Sequence, residues 1–122
     1  MKKRTAKPEI ILVRPRIQVG DVMSIGPGKI DLLRQLGQTQ SISAAARALG
    51  IPYKRAWSLI DTLTQGFGRP IVETISGGKG GGGTTLTPLG QRLVDCYDTL
   101  QQRLSAEAHP ELEEIRSLVS GR

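Results

Sequence analysis

A mainly α fold with one small β-hairpin is what this sequence predicts, on three observations. Residues 41–65 set a short Ala-rich helical segment and a second amphipathic one on either side of Gly50. Residues 71–86 place two β-branched runs, Ile71-Val72-Glu73-Thr74-Ile75 and Thr84-Thr85-Leu86, around the stretch Gly77-Gly78-Lys79-Gly80-Gly81-Gly82-Gly83. Apolar residues then recur every three or four positions from Leu89 to Leu104. Helix, turn, helix and hairpin in that order make a winged helix-turn-helix, closed by a long C-terminal helix.

Each element has its own local cause. Residues 1–8 are polar and cationic, and a disordered basic arm is expected there; a winged domain is expected over 9–108 and a short helix or tail over 109–122. Ile10 to Val19 is β-favouring but contains Pro15, which suits an edge strand. Gly26-Pro27-Gly28 marks a helix start. The stripe Ile30, Leu33 and Leu36, with Leu32 beside it, gives that helix one buried face, and Gly37 is expected to close it.

Ser43 is the expected N-cap of the second helix, with Ser41 the fallback, because a cap hydroxyl accepts a free amide of the first turn. Ala44 to Leu49 is helix-favouring and narrow. Gly50 can adopt the left-handed conformation that ends a helix, and Pro52 can begin the next, over about residues 52–65. Ala56, Leu59, Ile60 and Leu63 form its buried face, and Trp57 is expected in the core. Thr87-Pro88 reads as a cap and first-turn proline of the last long helix, with Leu89, Leu93, Cys96, Tyr97, Leu100 and Leu104 as its apolar line and Pro110 as an interruption.

Composition narrows the function. The 122 residues carry 17 Lys plus Arg against 11 Asp plus Glu, a net charge of +6. That charge is uneven, +8 over residues 1–90 and −2 over 91–122, which suits a polyanionic partner for the body of the chain. No apolar run approaches the ~18 residues of a membrane helix. A single cysteine, Cys96, excludes an intrachain disulfide and a thiolate metal cluster, so a cytoplasmic protein without cofactor is expected. Four aromatic residues are too few for a single-strand stacking platform.

The helix pair points to double-stranded DNA. Small Ala46 suits a close helix crossing, Gly50 the turn, and Ile51 a plug between the helices. The second helix of the pair then enters the major groove with Tyr53, Lys54, Arg55 and Ser58 outward. Arg55 is the expected bidentate partner of guanine, Lys54 a phosphate contact, and Tyr53 a hydroxyl donor to the backbone. Ser43 and Arg47 are expected at phosphates from the first helix of the pair, with Lys79 and Thr84 in the wing.

The blocks Ser41-Ile42-Ser43-Ala44-Ala45-Ala46, Tyr53-Lys54-Arg55-Ala56-Trp57, Val72-Glu73-Thr74 with the glycine run, and Leu86-Thr87-Pro88-Leu89-Gly90 resemble the DNA-binding domain of ModE, the molybdate-responsive bacterial regulators. LysR-type winged domains are a more distant likeness. The resemblance covers about residues 17–104 and implies a winged helix, a homodimer and a palindromic operator. ModE proteins also carry C-terminal oxyanion-binding modules. This sequence ends at Arg122 without them, so a stand-alone form with no small-molecule effector site is expected.

Two other functions fit less well. A phosphate loop needs Gly-Lys-Ser/Thr opening a helix, and here the glycines join two strands. His109 has no matched Ser or Cys partner in the sequence, and Glu113-Glu114 would point apart on a helix, so no enzyme is expected. A protein-interaction module using the stripe on 89–104 is the remaining alternative.

Overall fold

The computed structural model describes residues 9–78 and 81–119. The arm at 1–8 and Lys79 therefore lie outside the described residues. The chain runs β1 (Ile17–Val19), β2 (Met23–Ile25), α1 (Pro27–Thr39), α2 (Ile42–Leu49), α3 (Tyr53–Phe67), β3 (Val72–Gly78), β4 (Gly81–Leu86) and α4 (Pro88–Val119). The two strand pairs are antiparallel ribbons, with Ile17 opposite Ile25 in one and Val72 opposite Leu86 in the other.

The first ribbon is shorter than the strand expected from Ile10 onward. Pro15 has no amide to give to a ladder, and its carbonyl accepts the Tyr97 hydroxyl of α4 at 2.6 Å. The tie locks the incoming segment across the last helix, and burial raises the Tyr97 pKa.

α1 begins at Pro27, as its sequence suggests, and buries Ile30, Leu32, Leu33 and Leu36. It does not stop at Gly37. It runs to Thr39, and Gln40 takes the left-handed conformation at φ 57°, its amide donating to the Leu36 carbonyl at 2.8 Å. A glycine inside a helix costs only ~1 kcal/mol. Here the bare backbone is covered by Leu86, whose Cδ1 would lie 3.4 Å from a Cβ on Gly37.

The core has two parts. Met23, Ile25, Ile30, Leu33, Leu63, Ile71, Val94 and Tyr97 join the first ribbon and α4 to α1 and α3. Leu32, Leu36, Ile42, Ala45, Ala46, Ala56 and Ile60 join α1, α2 and α3. Val72 and Leu86 pack against both parts, so the base of the second hairpin is wedged where they meet.

Thr87 caps α4 as expected, its hydroxyl oxygen accepting the Gly90 amide at 3.2 Å. A Cβ on Gly90 would lie 2.5 Å from the Ile71 carbonyl oxygen, so only glycine lets this first turn approach so closely. Further along, one expectation fails. The helix passes through Pro110 without interruption. Proline there removes an amide that would bond the Ala106 carbonyl, but Ala106 is exposed and water can satisfy that oxygen. The most buried line is Gly90, Val94 and Tyr97. Of the expected apolar line Tyr97 lies on it and Leu89 and Leu93 pack partly buried against the core, while Cys96, Leu100 and Leu104 lie roughly a quarter-turn away at ~100° per residue. Cys96 and Leu104 are exposed.

Candidate nucleic-acid interface

α2 and α3 are held as a unit by short, local devices. Ser41 is the cap of α2, its hydroxyl accepting the Ala44 amide at 3.0 Å. That corrects the expectation for Ser43, because the helix starts at Ile42 and places Ser43 already inside the first turn, exposed and free of the capping role. Gly50 sits at φ 67°, and the Gly50 and Ile51 amides donate to the Arg47 and Ala46 carbonyls at 3.1 and 3.0 Å. Ile51 packs against the second core part, as a plug should. Pro52 then supplies the carbonyl that accepts the Arg55 and Ala56 amides.

On α3 the buried line is Ala56, Ile60 and Leu63, with Leu59 half-buried beside it. Small Ala45, Ala46 and Ala56 fill the crossing of α2 and α3. The opposite line, at helical spacing, is Lys54, Ser58, Asp61 and Gln65, all exposed. Tyr53 and Trp57 occupy one flank and Arg55 the other. Trp57 is 41 % exposed, which overturns its expected place in the core. Its ring meets Tyr53 edge to face, centroids 6.5 Å apart, and the pair covers the outside of the helix instead of filling it.

The wing is tied to the turn before α2. The Thr84 amide donates to the Gln40 carbonyl at 3.0 Å, and a Cβ on Gly83 would meet that same oxygen at 2.4 Å. One glycine of the run thus has a packing reason, since it lets β4 close on the left-handed Gln40. Thr84 is half-buried, so its backbone serves this docking while its side chain stands opposite Thr74 in the ribbon.

Charges divide sharply across the described residues. Arg14 and Arg34 share Asp31, with Arg14 Nη1 at 2.7 Å and Arg34 Nη1 at 3.1 Å, and Arg34 also pairs with Asp98. Arg47, Lys54 and Arg55 have no carboxylate partner among the described residues. Ser43 and Arg47 on α2, with Tyr53, Lys54, Arg55 and Ser58 on α3, are all exposed. They form a polar, cationic surface across two packed helices, which can accept a phosphate backbone and present donors to base edges. Two more cations without a carboxylate, Arg16 and Lys29, share Ser24, and Lys29 also feels the charge of Arg55; neither is expected at this surface from the sequence. The available signal was Lys29 itself, a cation in a helix first turn, where the dipole favours acids.

Among the described residues no cluster of His, Cys, Asp or Glu could hold a metal ion, and no helix is long and apolar enough to cross a membrane.

Residues 28–91 match the family described as bacterial regulatory helix-turn-helix protein, lysR family. The chain is 46 % identical over 76 residues to the DNA-binding transcriptional dual regulator ModE of Escherichia coli, covering 62 % of this chain and 29 % of that one. It is 40 % identical over 77 residues to the molybdenum-pterin-binding protein MopB of Rhodobacter capsulatus, covering 63 % and 28 %. The chain thus spans less than a third of these two relatives. A crystal structure of a LysR family transcriptional regulator superposes with a TM-score of 0.52 at 20 % identity, covering 68 % of this chain and 27 % of the other, which supports the fold.

Proposed function

This chain belongs to the lysR family of bacterial regulatory helix-turn-helix proteins, and from that premise we propose that it is a sequence-specific, double-stranded DNA-binding transcription regulator of the ModE type. One observation carries the reading: the exposed line on α3 and the neighbouring turn of α2 bear cations without carboxylate partners among the described residues, directly opposite the faces that make the core. α3 enters the major groove, with Lys54 and Ser58 toward base edges. Ser43 and Arg47 contact phosphates from α2, Tyr53 offers its hydroxyl, and the wing, with Thr84 at its base and Lys79 beyond the described residues, follows the adjacent backbone. Binding, not turnover, is the activity, and the cytoplasm is the place for it.

The likeness to proteins named for molybdenum supports a role at genes of molybdate transport or metabolism. The protein acts as a homodimer. Beyond Leu93, which packs against the core, the line continues through Cys96, Leu100 and Leu104 on α4, outside both core clusters, and suits a second copy.

Recovery of bound DNA across the genome, with and without molybdate, followed by anisotropy measurements on the enriched duplex, tests this reading. Enrichment of molybdenum-linked promoters and affinity that falls steeply with salt are expected. No duplex binding even in dilute buffer would refute it, and a monomer by sedimentation at micromolar concentration would remove its dimeric part.

A further inference from the structure

Two cations share Ser24 where the first ribbon leads into α1, and a third, Arg55, acts on one of them through space. Lys29 Nζ donates to the Ser24 carbonyl at 2.8 Å, and Arg16 Nη1 to the Ser24 hydroxyl at 3.3 Å. The Arg16 guanidinium lies over Gly26, where a Cβ would come within 2.8 Å of Nη1. Burial lowers the Lys29 pKa, and the charges of Arg16 and of Arg55, from the first turn of α3, lower it further.

Nothing within the described chain balances this charge. None of the three has a carboxylate partner, and Asp31, one half-turn along α1, is already taken by Arg14 and Arg34. α1 has no acidic residue in its first turn and no side-chain cap at Gly26, so its amide end adds to the positive potential. Like charges gathered in this way are a standing cost in the free protein, and a nearby anion removes it.

We propose that Arg16, Lys29 and Arg55 together seat a phosphate of the DNA strand beside the groove that receives α3, on the flank opposite Tyr53 and Trp57. The inference rests on the DNA-binding reading and extends the footprint to the first ribbon. It also reassigns Arg55 from guanine reading to backbone contact, because the residue leaves α3 on the flank toward Lys29 and not from the central line of Lys54 and Ser58.

Anisotropy with the genome-enriched duplex and a shuffled duplex, each over a range of salt concentrations, tests it. Arg16→Gln with Lys29→Gln should lower the slope of log affinity against log salt by about one and weaken both duplexes alike, by roughly fivefold to tenfold near physiological salt. Arg55→Ala should behave the same way, while Arg14→Ala, an equal loss of charge at a paired site, should leave the slope unchanged. Should the double variant melt early, the two single variants serve, each with part of the loss. An unchanged slope overturns the proposal, as does an equal loss from Arg14→Ala or an Arg55→Ala loss confined to the enriched duplex. Wild-type protein that binds neither duplex fails the functional reading first, and this inference with it.

Discussion

Arg14 and Arg16 are two residues apart, yet they belong to opposite electrostatic regimes. Arg14 reaches Asp31 through two hydrogen bonds, 2.7 and 3.0 Å, and joins Arg34 and Asp98 in a network that binds the incoming segment to α1 and α4. Arg16 turns toward Ser24 and Lys29 and has no carboxylate among the described residues. The first region is built to hold the fold together. The second leaves its charges available, at the expense of mutual repulsion. Side-chain type does not separate them; the neighbours do.

That contrast can be broken from either side. The largest effect is expected from Arg47→Ala with Lys54→Ala on the unpaired surface. Affinity for the preferred duplex should fall roughly tenfold to a hundredfold, at a few- to tenfold for each lost contact, with the melting curve nearly unchanged. Loss of stability without loss of affinity would reverse the assignment. Gly83→Val comes next. Its Cβ meets the Gln40 carbonyl at 2.4 Å, so calorimetry should show ~1–3 kcal/mol of destabilisation together with weaker binding as the wing leaves its dock.

On the paired side, Asp31→Asn should cost about 1 kcal/mol in urea unfolding, less at high salt, because the three-charge network is only partly exposed. DNA affinity should hold. Trp57→Ala sharpens the picture with the smallest change. At 41 % exposure it should lower stability by no more than ~1 kcal/mol, where a buried tryptophan would cost ~3–5 kcal/mol.

Much of this could be read before any coordinates. Gly50 and Ile51 mark the turn because one adopts positive φ and the other fills the crossing, and both requirements are local. Pro27 and Thr87 likewise open α1 and α4 where short-range chemistry places them. The errors share a cause. Ser43 and Ser41 are equally good caps in isolation, and the burial of Ile42 under the core selects Ser41. Trp57 looks like core by its bulk, but Ala56, Ile60 and Leu63 already complete the inward face. The apolar line on α4 includes Tyr97, but Val94, which faces the domain beside it, is absent from that line.

The candidate surface was legible in part. Ser43, Arg47, Lys54 and Ser58 follow from helical spacing once α2 and α3 are recognised. Arg16 and Lys29 do not, because nothing in their neighbours along the chain brings them together at Ser24.

Periodicity, proline and glycine placement and capping chemistry were enough to specify the order and kind of elements, since each acts over a few residues. Which cations are neutralised was settled only by folding. Asp31 finds Arg14 across 17 positions and Arg34 finds Asp98 across 64, while Arg16 and Lys29 meet at Ser24 with no carboxylate among the described residues. Coulomb interactions depend on separation in space, and separation along the chain carries almost no record of it.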